Sequence, residues 1–230
     1  MGFLTEWPPS VEQYYLPIDP QRPFFQGDVF EDVPFVKAKA GSTPDSKPNI
    51  VIERRCVCAL LFPCDMYSPE GRLAKVQAVA LVREQSKGDH LPPDWDGCYN
   101  LFPYPELNGS EPMWFADFRT TANIDRTFLR ADKRIASLSL LGWSYFRQRI
   151  ALNYTRSKIS LNLLIENGKE PWAEQNLWKE WCGVKSSSDG FHEWYNSPLE
   201  DLAGSTPRAA ATRQGRFLDV QRLIRSELAD

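Results

Sequence analysis

Arg55 is the residue around which a chemistry could be built. It follows Glu53 and Arg54 in an apolar segment, with Asp65 ten residues on and Glu84 further along. A guanidinium stabilises the charge that develops on a transferring phosphate, and a carboxylate can move the proton. Arg55, Glu53 and Asp65 therefore outline acid–base cleavage of RNA. Charges at strand ends more often face solvent, and that alternative stays open. The two histidines, His90 and His192, fit no HExxH or Ser-His-Asp arrangement.

The five cysteines are Cys56, Cys58, Cys64, Cys98 and Cys182. An odd number without a leader peptide points to a reducing compartment. Cys56 and Cys58 fall on one face of a strand, because strand side chains alternate. The chain contains no CxxC pair, so neither metal nor cofactor is expected.

Two further groups could bind rather than react. Between residues 119 and 158, nine cations face two carboxylates in a chain whose net charge is −3. Arg119, Arg126, Arg130, Lys133, Arg134, Arg147, Arg149 and Arg156 would make a face for nucleic acid or for an acidic partner. A solvated face with internal ion pairs is the plainer alternative. Nearer the C-terminus, Trp172, Trp178, Trp181 and Trp194, with Phe217 and Ile224, would either grip a protein partner or glue helices to the body.

The chain of 230 residues is 42% apolar and 25% charged, which excludes a disordered tail, a collagen-like chain and a globally basic DNA-packaging protein. No apolar run reaches membrane-spanning length. The N-terminus has no cationic and apolar leader pattern, so a cytoplasmic location is expected. Residues 1–26, rich in Pro and aromatics, read as an extended arm. Strands are expected at 27–38, 49–66, 73–84, 98–106 and 112–124, separated by turn residues. Ser139 caps a helix that runs to a stop at Asn167-Gly168. A short helix follows from Pro171 to Trp181, and a third fills the last twenty-five residues, with Phe217, Val220, Ile224 and Leu228 on one face. The fold class is α+β, with an arm (1–26), a β-barrel core (27–136) and a helical region (137–230).

Three segments resemble the PemK/MazF family of small, SH3-like β-barrels. Gly27-Asp28-Val29 is similar to its opening Gly-Asp strand start, and residues 54–65 to its Arg-Arg strand. Residues 116–150 resemble its closing region, in which a basic turn leads to Arg-Ile-Gly-x-Leu-Ser and a helix. Larger bacterial and phage relatives share this pattern. The resemblance implies a small barrel and a metal-independent endoribonuclease. In the family the strand-start Arg pairs with a Ser or Thr on the next strand, but here residues 76–84 carry no hydroxyl and Cys56 replaces Pro. The first expectation is therefore a non-enzymatic adaptor for a protein partner, a recombinase or other DNA-bound enzyme. Its most specific form is a phage recombination directionality factor for a serine integrase. The alternative is the ribonuclease.

Overall fold

Five strands form at the expected segments, β1 (Val29–Ala38), β2 (Ile50–Ala59), β3 (Val76–Glu84), β4 (Leu101–Tyr104) and β5 (Trp114–Asp125), and a short sixth, β6 (Arg134–Ala136), forms inside the basic turn where none was expected. The computed structural model describes residues 11–38, 50–61, 66–67, 73–84, 100–107, 113–156, 159–213 and 215–227. The sheet is antiparallel in the order β4-β5-β3-β2-β1-β6. Its two faces bury separate cores. Val57 and Ala59 of β2 join Phe30, Val33, Phe35 and Val79 on one side. Cys56 and Cys58 join Ala80, Val82 and the helices on the other, so the two thiols do share a face. A bulge sets Glu31 and Asp32 against Cys56 alone, and Asp32 takes a left-handed φ of 59° there.

Among the described residues no ladder joins β4 to β6, so the sheet is open rather than a closed barrel. It is nevertheless strongly curled. Tyr104 of β4 donates to the Gly27 carbonyl (2.9 Å) and touches Cys58 Sγ (3.1 Å), although β4 and β1 stand four places apart. The arm fills the seam. One helical turn, α1 (Val11–Tyr14), leads into an extended stretch in which Tyr15 bridges Leu138 and the Leu16 N–H donates to Ser137 O at 2.8 Å. On the β4 side, the Tyr14 and Tyr15 hydroxyls donate to the carbonyls of Pro103 (3.0 Å) and Pro105 (2.8 Å). Pro103 has no N–H to offer a neighbour, which suits an edge strand closed by side chains rather than by a ladder.

Helix α2 (Leu140–Thr155) starts where expected, with the Ser139 hydroxyl accepting from the Gly142 N–H at 3.2 Å. It ends earlier than expected, at Arg156 in a left-handed conformation. The stop at Gly168 and the short helix from Pro171 are both corrected by α3 (Leu161–Lys185), a single helix of 25 residues that runs through them. A Cβ at Gly168 would lie 3.6 Å from the Trp143 ring, an ordinary van der Waals contact, so packing does not require glycine there. An interior proline costs about 3 kcal/mol. Burial of Trp172, Ala173, Leu177 and Trp181 from the following turns offsets that cost. A six-residue helix, α4 (Phe191–Asn196), was not foreseen. The single C-terminal helix is instead α5 (Pro207–Thr212) and α6 (Phe217–Glu227), parted at Gly215 with φ 65°. Phe217, Val220 and Ile224 are buried on one face as expected, while Leu228 lies outside the described residues. Arg225 of α6 reaches both Glu180 (2.5 Å) and Asp19 (2.6 Å), tying the last helix to α3 and to the arm.

Gly142 is where the arm meets α2. A Cβ at this position would lie 2.4 Å from the Tyr14 carbonyl oxygen, a backbone atom with little room to retreat. Alanine in a helix interior normally gains about 1 kcal/mol over glycine. Gly142→Ala is expected instead to lose about 1–3 kcal/mol through overpacking. Urea denaturation measures the loss, and a gain in stability would show that the arm is not seated there.

Candidate partner-binding face

Arg55 sits exposed on β2 and donates from Nε to Glu53 Oε2 at 2.9 Å, with a second, shorter contact from Nη2. The guanidinium is thus held by a carboxylate of its own strand. The neighbouring strand sets Val82 opposite Cys56, so no hydroxyl is delivered beside Arg55. Asp65, the remaining member of the expected acid–base set, lies outside the described residues.

The eight cations of the basic segment do not form one face. Arg134 and Arg149 are only 3% and 2% exposed, which removes them from any phosphate-facing surface. Arg119 grips Asp117 (2.6 Å), to which Arg83 adds a contact at 3.4 Å. Burial pushes the Asp117 carboxyl up, but the bonds from Arg119 and the charge of Arg83 outweigh it and hold the group below the usual carboxylate range. Arg130 pairs with Asp132 (2.7 Å) and Lys133 with Glu31 (3.2 Å). Arg126 donates to the Leu73 carbonyl (2.6 Å), and Arg147 lies over the Trp143 ring at 4.6 Å. Arg156 forms the C-cap of α2. Neighbours two to four positions away engage Arg119, Arg130 and Arg147, and distant groups engage Arg126 and Lys133.

Arg134 belongs to a buried cluster that charge counting missed. Asp28 Oδ2 accepts from Arg134 (3.0 Å) and from the Phe25 N–H (2.9 Å), and Oδ1 accepts from Arg22 (3.3 Å). Asp28 therefore bonds a turn amide, as its place after Gly27 suggests, and also holds two guanidiniums. Arg134 goes on to donate to the carbonyls of Pro23 (3.1 Å) and Arg22 (2.8 Å). This knot fastens the arm to β6. Only the partnership across 106 positions explains it, and no short motif announces one.

The C-terminal aromatics face inward. Trp172, Trp181, Phe217 and Ile224 are buried, and Trp178 and Trp194 are half-buried against the same core. Trp172 packs on Phe217 with ring centroids 4.6 Å apart, and Trp181 on Trp194 at 5.2 Å. In this arrangement they join helices to sheet, which was the second of the two readings open from sequence.

What the fold does leave uncovered is the far half of the β1–β2 hairpin. Pairing between β2 and β3 ends at Cys56, and pairing between β1 and β6 ends at Phe30. Among the described residues, 33–38 and 50–55 therefore pair only with each other. Val36 lies opposite Ile52, and Ile50 and Arg54 share its face. Val36, Ile50 and Ile52 are 59%, 57% and 68% exposed. They continue the sheet face that carries Cys56 and Cys58 under the helices, so an apolar strip emerges from the core into solvent. The one sequence signal for it is the run Ile50-Val51-Ile52, apolar on both faces of a strand next to a polar loop.

No protein-family model matches the chain, and neither a curated protein nor a solved structure does. An exposed apolar strip beside an unpaired strand edge can accept a strand from another chain, since the edge offers backbone N–H and C=O groups in register.

Proposed function

We propose that this protein is a PemK/MazF-like curled barrel acting as a non-enzymatic adaptor, and that its β1–β2 hairpin binds a protein acting on nucleic acid. The most specific form of the proposal is a phage recombination directionality factor engaging a serine integrase. The apolar strip of Val36, Ile50 and Ile52 carries the reading. Its occupant is a protein rather than a nucleic acid, because the strip is apolar and the basic segment is engaged internally. A fitting partner presents an extended strand with alternating apolar residues; Arg54 on the same face already pairs with Asp32 at 3.1 Å. The Tyr104 bond to Gly27 and the arm-filled seam support the barrel likeness. The absence of a hydroxyl on β3 weighs against the toxin-like ribonuclease.

The test is affinity purification from the native host with wild-type protein and with Ile52→Arg. An exposed change of this kind alters stability by less than about 0.5 kcal/mol. A central contact of an interface is worth about 2 kcal/mol or more, so the variant should bind the purified partner about 30-fold more weakly. Recovery of a DNA-bound recombination enzyme with the wild type alone supports the proposal. Equal recovery with both proteins overturns the hairpin's role. Trimmed RNA, with single-strand cleavage in chelator that is lost in Arg55→Ala, overturns the adaptor reading.

A further inference from the structure

A cavity of about 310 Å³ lies between α3 and α4, apart from the hairpin. Pro171, Glu174, Gln175 and Trp178 line it from successive turns of α3, and Phe191 and His192 from the start of α4. The spacing of the first four puts them on one helix face. The walls are flat and apolar, formed by an indole, a phenyl ring and a proline. Among the polar lining residues, Glu174 is half-buried and supplies the acceptor. Gln175 Oε1 is out of contact with the space. The Glu174 carboxylate is approached by His192 Nδ1 at 3.6 Å, too far for a good hydrogen bond.

We infer that this cavity binds the guanidinium of an arginine. A guanidinium carries its N–H donors in a planar fork that matches a carboxylate such as Glu174. Its flat face also stacks on an indole, and it sheds water more readily than an ammonium ion does. An anion would meet the Glu174 carboxylate, and a purely apolar ligand would cover that charge without pairing it. The volume suits one side chain rather than a large cofactor. This inference stands whether or not the hairpin has a partner.

The test is a titration of 15N-indole-labelled full-length protein with N-acetyl-arginine amide, followed by NMR. N-acetyl-citrulline amide serves as the neutral isostere and N-acetyl-lysine amide as the point-charge control. The Trp178 indole signal should shift saturably with the arginine probe, with citrulline and lysine both weaker. Glu174→Gln keeps the shape and should weaken arginine binding about tenfold through loss of a charge-assisted bond. Tighter binding of free arginine than of the capped probe would name the free amino acid as the ligand. The reverse order would name an arginine carried by a protein. No saturable shift, equal shifts with citrulline, or unchanged affinity in Glu174→Gln would overturn the inference.

Discussion

Asp28→Asn should lower folding stability by about 3–5 kcal/mol, the cost of breaking a buried ion pair by removing one partner. The side chains of Asp28, Arg22 and Arg134 are 1%, 3% and 0% exposed, so water cannot take over the lost charge. The substitution keeps the carboxylate's shape but leaves two guanidiniums in one dry site with nothing between them. It also weakens the acceptor for the Phe25 N–H, which sets the turn into β1. Because the knot binds the arm to β6, the arm should become sensitive to protease under conditions in which the sheet still holds. Urea denaturation measures the size of the effect. Adding Arg22→Met to Asp28→Asn should restore part of the stability by removing one stranded charge. A loss below about 1 kcal/mol in the single variant would mean that the cluster is well hydrated in solution.

Trp172→Ala is the second large effect, about 3–5 kcal/mol for removing a buried indole. Trp172 is 5% exposed and lies between Phe217 of α6 (4.6 Å) and Phe25 of the arm (6.4 Å). Its loss should loosen three segments at once. The readout that matters is the contrast with Ile52→Arg. Trp172→Ala should lower the unfolding midpoint while the folded fraction still binds a partner, and Ile52→Arg should do the opposite. Unchanged stability with lost binding in Trp172→Ala would return the tryptophans to the interface and remove them from the core.

Several elements were legible because their causes are local. Short apolar runs bounded by turn residues, and the Ser139 hydroxyl ahead of Leu140, act within a few residues, so pattern alone places β1, β3, β5 and the start of α2. Gly168 and Pro171 misled for a related reason. Their intrinsic preference is to stop a helix, but burying Trp172 and Leu177 against α2 and α6 outweighs it. At Gly215 the error ran the other way. The apolar spacing across residues 206–228 suggested one helix, and the left-handed turn there splits it. The expected closed barrel became a curled sheet with a filled seam, since β4 and β6 are only four and three residues long and the tyrosines of the arm fit the gap between them.

The functional residues divide along the same line. That Arg55 follows Glu53 by two positions is visible in the sequence, and their exposed pairing follows from it. The burial of Arg134 and Arg149 is not visible, and neither is the inward turn of Trp172 and Trp181. A buried paired guanidinium and a solvated one have the same letter and the same charge count. By itself, then, the sequence determined the α+β class, the positions of five strands and the start of α2, because hydrogen-bond periodicity and capping are short-range. The tertiary structure alone decided which cations and aromatics stay at the surface, because that depends on partners about a hundred residues away, as Asp28 and Arg134 are.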